Sequence, residues 1–336
     1  MRATAEYHAA FSGSRYIIQK QLAEGDEVVT SFTARLTHER EYEGFAPTGR
    51  EHVLTGIFIH RIAGDRIVEE FAEGTGLLEL VEQRLEQEER ERERIEQELR
   101  VARDIQRASL PKEVPTLEGW EISAYYQPAK EVGGDFYDFH PLSDGRFGLA
   151  VGDATGKGVP AALVMASARS MLRAVAQASD SAGEALRRVN NVLATDIPPN
   201  MFVTCFYAIL EPESGSLTYT NAGHDLPYLH RNGDAEELRA RGMPLGLMAG
   251  MGYEEKEIVF DVGEAALFYR DGLVEAHDTK GEMFGFPRLR ALMAEHGEEG
   301  SLGEFLMEEL YSFVGDGWEQ EDDITLVTLR HSASLS

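Results

Sequence analysis

The stretch LELVEQRLEQEERERERIEQELRVARDIQRASLP, residues 78–111, constrains this chain more than any other. Its charge density suits a solvated helix, and Leu78, Val81, Leu85, Ile95, Leu99 and Ala102 fall at the 3-4 spacing of a coiled-coil seam. Glu88 and Arg92 interrupt that seam in its middle. One continuous helix is predicted, ending before Pro111, whose ring denies the next turn a donor. It serves either as a solvated single-helix linker or as a parallel two-helix coiled coil across a dimer, and the dimer is the expectation. The segment divides the chain into three parts: 1–77, 78–110 and 111–332.

The first part alternates apolar and polar residues, as in DEVVTSFTARLTHE, REHVLTGIFIHRIA and DRIVEEFAEG, with turns at EGDE, APTG and AGDR. It reads as a small strand-rich sheet. The third part reads as mixed α/β. Its predicted strands are WEISAYYQPA, RFGLAVGD, MFVTCFYAIL, GSLTYTNAG, LPYLHR, EKEIVF, AALFYRDG and DITLVTLR, and its predicted helices are 160–178, 181–194, 287–296 and 302–314. Strands, two helices, more strands and late helices imply packed sheets with helices outside, an α+β class, rather than regular βαβ alternation.

Several function classes are disfavoured. The net charge is −27, and in residues 111–336 there are 37 acidic against 17 basic side chains, a surface that repels nucleic acid and anionic lipid but attracts divalent cations. No run of 18 apolar residues suggests membrane insertion, and the N-terminus lacks the apolar core of a signal peptide. The lone Cys205 sits in an apolar run, which fits a buried thiol in a reducing cytoplasm better than a nucleophile. GDATGKG, residues 152–158, follows a strand and opens a helix, yet it is not a phosphate-binding P-loop. Three residues rather than four separate Gly152 from Gly156, and Gly158 stands where a hydroxyl is required.

What this stretch does place on a turn is Asp153. Three further sites repeat the design: Asp135 in EVGGDFYDF, Asp271 in LFYRDGLVEA, and Asp322 with Asp323 in EQEDDITLV. Each follows or precedes an apolar strand, and glycine beside three of them lets backbone approach a ligand closely. Single carboxylates on separate tight turns suit a hard cation such as Mg²⁺ or Mn²⁺, although any one alone is most often an ordinary turn residue.

Together with ARDIQRASLP, GGDFYDF, VGDATGKGVPAALVM, TNAGHDLPYL, PLGL, FYRDGLVEA and EDDITLV, these sites make residues 98–330 resemble the metal-dependent protein phosphatase (PPM, PP2C-like) superfamily. The branch is that of the SpoIIE-type serine phosphatases, which regulate bacterial sigma factors by partner switching. The resemblance implies an α-β-β-α sandwich and two Mn²⁺ or Mg²⁺ ions that activate water for in-line attack on a phosphoserine. Asp153 is implied as the bridging ligand with the Ala154 carbonyl beside it, Asp271 and Asp322 complete the second metal, and Asp135 lies by the first. Asp323 occupies a neighbouring position. Arg270 stands where the family carries Thr, either contacting phosphate or facing solvent. Lys157 and His224 are further candidates for phosphate contact or proton transfer, with exposed-lysine and backbone-bonding-histidine roles as the alternatives. The implied partner is a phosphorylated anti-sigma-factor antagonist of the STAS type. A catalytically weak scaffold binding that same partner, or a ligand-sensing module, are the alternatives.

Residues 11–80, carried by LAEGDEVVTSFTARLTHEREYEGFAPTGREHVLTGIFIHRIAGDRIVEEF, resemble the later part of a SnoaL-like polyketide cyclase domain, a cone-like sheet. The family's opening helices are missing from this sequence, which implies either an apolar face needing a partner chain or a start site placed too late. His38, His60 and Glu70 are candidate pocket residues for a small ligand, and sensing or dimerisation is expected rather than cyclase catalysis.

Overall fold

The computed structural model describes residues 9–42, 44, 46–74, 76–179, 181–297 and 302–332, and the side chains of 76–86 lie outside that description. Two compact units are present, 1–96 and 97–336.

The first unit is an antiparallel meander in the order β1 (Phe11–Glu24), β2 (Glu27–His38), β3 (Glu51–Ala63), β4 (Arg66–Gly74). Gly25 and Gly64 take φ of 63° and 62° at the β1–β2 and β3–β4 turns, where a left-handed residue reverses the chain within two positions. Its small core holds Phe11, Phe32, Ala34, Leu36 and Leu54, with the Phe32 and Phe58 rings stacked at 4.4 Å. Helix α1 (Gly76–Ser109) follows as one continuous element. The seam positions Leu78, Val81 and Leu85 lie outside the described side chains; Ile95 is exposed, and Leu99 and Ala102 are half-buried.

The second unit stacks two five-stranded antiparallel sheets. One has the order β12 (Glu255–Val259), β9 (Ser216–Ala222), β8 (Val203–Glu211), β7 (Phe147–Ala154), β6 (Asp135–Pro141). The other has the order β11 (Asp234–Glu237), β10 (Tyr228–Arg231), β13 (Ala265–Tyr269), β14 (Ile324–His331), β5 (Trp120–Gln127). Helices α2 (Val159–Ala176) and α3 (Ala182–Asp196) cover the first sheet, and α5 (Phe286–His296) and α6 (Leu302–Val314) the second; α4 (Asp271–Val274) is a single turn after β13.

The period-2 geometry of a strand explains why these sequences read as unbroken apolar runs. On β8, Cys205, Tyr207 and Ile209 join the helix-side core while Phe206, Ala208 and Leu210 join the core between the sheets. On β13, Ala265, Leu267 and Tyr269 face the other helix layer and Ala266 and Phe268 face the sheets. The inner strands of each sheet are buried on both faces, so alternation disappears from their sequences. Burial pushes the Cys205 thiol up, leaving it inert.

Helix α2 is long and apolar enough by composition alone to cross a membrane. In the fold Ala161, Met165, Ala168 and Leu172 pack on the sheet, and two arginines on the same helix reach inward. Arg169 and Arg173 bind the buried Asp138 of β6 at 3.0 and 2.5 Å. A core carboxylate is tolerated there because both of its oxygens are charge-paired.

Candidate active site

Strand register builds the site. Asp135 opens β6 and lies directly opposite Asp153 near the end of β7. The backbone between them is drawn tight: the Ala154 N–H donates to the Gly134 carbonyl at 3.0 Å. A Cβ on Gly134 would fall 2.6 Å from the Ala154 carbonyl oxygen and 2.7 Å from Asp153 Oδ1, so only glycine leaves both oxygens open on that side.

The second sheet supplies the rest. Asp271 follows β13 as the first residue of α4, and Asp322 and Asp323 precede β14. Asp153, Asp271, Asp322 and Asp323 line one cleft of about 210 Å³ with Lys157 and Arg270. Both oxygens of Asp323 accept backbone N–H groups. Oδ1 accepts the Ala129 N–H at 2.8 Å and Oδ2 the Gly134 N–H at 2.9 Å, so it fixes the loop carrying Gly133 and Gly134. Lys157 is half-exposed at the rim; its Nζ donates to the Glu321 carbonyl at 2.9 Å and lies 3.2 Å from Asp322 Oδ2.

Arg270 does not face solvent. Its side chain is 9% exposed and ion-paired to Asp135 at 2.9 Å, Asp153 at 3.0 Å and Asp271 at 2.8 Å. The Thr325 hydroxyl donates to the other oxygen of Asp135 at 2.6 Å. Burial holds the Asp135 carboxyl well above its ordinary range against the pull of Arg270. Burial also raises Asp153 to about 7, helped by the charges of Asp271 and Asp322 and opposed by Arg270. Asp225, a site residue that sequence reading passed over beside His224, is raised to about 6 by burial and faces Arg270 at 3.9 Å.

His224 is buried behind the cleft rather than lining it. Its Nδ1 is 3.0 Å from the Thr204 hydroxyl, and its backbone N–H donates to Asn221 Oδ1 at 2.7 Å. Burial lowers its pKa to about 3, so the ring is neutral at physiological pH. Gln106, on the last turns of α1, was also missed. Its Nε2 donates to the Gly133 carbonyl at 2.6 Å and its Oε1 accepts the Gly133 N–H at 3.1 Å. Its signal in the sequence is its place in ARDIQRASLP, at the end of the charged helix.

The donor set fits a hard divalent cation in chemistry: carboxylates and an open carbonyl, with no sulfur or imidazole. Among the described residues no three such side chains form a ready-made ligand group. The guanidinium of Arg270 stands between them instead.

In the first unit, a cleft of about 410 Å³ is lined by Tyr16, Phe32, Phe58, Ile62 and Ile67 among others, with His60 at its edge 3.0 Å from Glu70. His38 is fully buried and stacks on Phe11 at 4.8 Å.

Two face-to-face antiparallel sheets between helix layers, with aspartates gathered where the strands end, define a PP2C-like sandwich. Residues 143–332 match the family model of Stage II sporulation protein E (SpoIIE), more than half of the chain, and the chain belongs to that family. Residues 1–73 match the SnoaL-like polyketide cyclase model. Protein IcfG of Synechocystis sp. is 31% identical over 261 residues, which are 69% of this chain and 41% of that protein. The chain thus spans well under half the length of that relative. Phosphoserine phosphatase RsbU of Bacillus subtilis is 28% identical over 240 residues, 70% of each chain. The SiaA-PP2C domain of Pseudomonas aeruginosa superposes with a TM-score of 0.63 at 24% identity, covering 71% of this chain and 98% of that domain.

Proposed function

We propose that the chain is a Mn²⁺- or Mg²⁺-dependent protein serine/threonine phosphatase acting on a phosphorylated anti-sigma-factor antagonist of the STAS type. The observation that carries this reading is the gathering of Asp135, Asp153, Asp271 and Asp322 from four strand ends of two sheets into one place. RsbU, similar along 70% of this chain, is named a phosphoserine phosphatase.

In this reading Asp153 with the Ala154 carbonyl, Asp271, Asp322 and Asp135 hold two ions. Metal ions held there would supply a more acidic water as the nucleophile near neutral pH and would offset charge on the phosphoryl oxygens. Asp323 positions the Gly133–Gly134 loop. Lys157 offers a positive charge at the rim, where a phosphoprotein would enter. His224, buried and neutral, keeps the Asn221–Asp225 turn in place.

Regulation enters through α1, whose Gln106 grips Gly133 two residues from Asp135. The N-terminal sheet and α1 serve as a dimerisation and sensing module, and the cleft beside His60 suits a small, largely apolar ligand.

Release of phosphate from a phosphoserine antagonist protein in the presence of Mn²⁺ tests the reading. Asp153→Asn should slow turnover by about a hundredfold or more while leaving binding of the partner intact. The guanidinium lodged among the carboxylates favours one competing reading, a scaffold that binds the partner without turnover. Tight binding with no Mn²⁺-dependent phosphate release by the unaltered chain would establish that reading instead.

A further inference from the structure

Two oxygens that a shared cation would need lie beside a single nitrogen, and one of them, the buried Asp271 Oδ1, accepts no hydrogen bond. Nη2 of Arg270 lies 3.0 Å from Asp153 Oδ2 and 2.8 Å from Asp271 Oδ1. Nε lies 2.9 Å from Asp135 Oδ1, and Nη1 faces Asp225 Oδ2 at 3.9 Å. The backbone is anchored too, its N–H donating to the Thr325 carbonyl at 3.0 Å. A guanidinium presents its donors in a rigid fork, usually matched to one carboxylate. Here the fork is spread over four, so it replaces a cation rather than completing a pair.

A divalent ion shared by Asp153 Oδ2 and Asp271 Oδ1 would need to sit roughly 2.0–2.1 Å from each. An ion so placed would lie within about 5 Å of Nη2, where two positive charges repel across the same pair of oxygens. We infer that Arg270 is a built-in competitor for the cation position between Asp153 and Asp271, holding the acidic site assembled without metal and swinging into the cleft before that position loads. The inference rests on the metal-dependent reading above. It makes the two ions unequal: the Ala154 carbonyl and Asp322, neither engaged by Arg270, would bind first, Asp322 meeting only the half-exposed Lys157 as a cation among the described residues. Asp135 and Thr325 close the buried side, so the cleft that Arg270 helps to line is its open direction.

Calorimetric titration of the full chain with Mn²⁺, paired with thermal unfolding in chelator, tests this on the unaltered chain, Arg270→Thr and Arg270→Lys. The unaltered chain should show one weaker site, and Arg270→Thr should tighten it by about tenfold or more. Metal-free Arg270→Thr should melt roughly 5–10 °C lower, because uncompensated carboxylates repel, and Mn²⁺ should restore it. Arg270→Lys, which keeps the charge but not the fork, should fall between; if the Thr variant does not fold without metal, the Lys variant carries the comparison. Unchanged affinity in the variants, with Mn²⁺ bound by all three chains, would overturn the inference and leave the metal-dependent reading standing. Failure of every chain to bind Mn²⁺ would overturn both.

Discussion

Replacing Gln106 by alanine removes both hydrogen bonds between the end of α1 and Gly133. The amide is only 6% exposed, so the Gly133 N–H and carbonyl would be stranded in a nearly dry place. Each stranded backbone group costs about 1–3 kcal/mol, and entering water recovers part of that, leaving a loss of roughly 2–4 kcal/mol. Leu110 is buried, but Val101 and Ile105 are exposed, and the half-exposed Arg103–Glu131 pair at 2.8 Å is worth about 0.2–1 kcal/mol. Urea unfolding of the full chain should therefore show a lower midpoint for the unit 97–336. Hydrogen exchange should accelerate at Gly133 and along residues 99–108, while Gly134, whose N–H is held by Asp323, changes less. Gln106→Glu keeps the acceptor, loses the donor and points a carboxylate at a carbonyl, so it should destabilise comparably. A loss of unfolding free energy below about 0.5 kcal/mol, with Gly133 exchanging as before, would refute the coupling of α1 to the site.

Two further outcomes are expected. Gly134→Ala drives a methyl group against the Ala154 carbonyl and Asp153 Oδ1, so it should cost about 1–3 kcal/mol and abolish any Mn²⁺-induced rise in melting temperature. His140, buried against Tyr207 with Asp138, Arg169 and Arg173 nearby, is lowered to about 4 by burial. A depressed histidine contributes stability that is complete above its unfolded pKa of about 6.5 and lost as pH falls toward 4. That group alone should make the protein about 2 kcal/mol less stable at pH 5 than at pH 7, a difference that His140→Gln should largely remove in denaturant titrations.

The sequence made the covering helices legible because their apolar faces and punctuation agree: Pro160 starts α2, and Ser181 accepts the Glu184 N–H to start α3. Two strands were hidden. DFYDFHP, which becomes β6, carries a buried aspartate whose partners, Arg169 and Arg173, come from α2 some 30 residues later, so its polarity concealed its burial. DAEE, which becomes β11, is too short and polar to show a pattern, although the Asn232–Gly233 turn before it, with φ of 53° and 76°, is a hairpin signal. At the site, the aspartates were visible as residues on glycine-flanked turns. Their division of labour was not: that Asp323 ties a loop, and that Arg270 turns inward, depend on backbone donors and carboxylates from distant strands. Local pattern carries no record of such pairings.

Strand β14 lies inside its sheet, between β13 and β5, although it follows every other strand in the chain. The loop beside Asp135 is held by Asp323, 194 positions beyond Ala129. During synthesis the second sheet therefore waits with a gap through its middle, and the acidic cleft stays unfinished until this strand has left the ribosome. Contacts of such long separation fold slowly and expose unpaired edges while they wait. A nascent chain stopped short of β14 would present the unpaired edges of β13 and β5 to chaperones, with the acidic cleft still unformed.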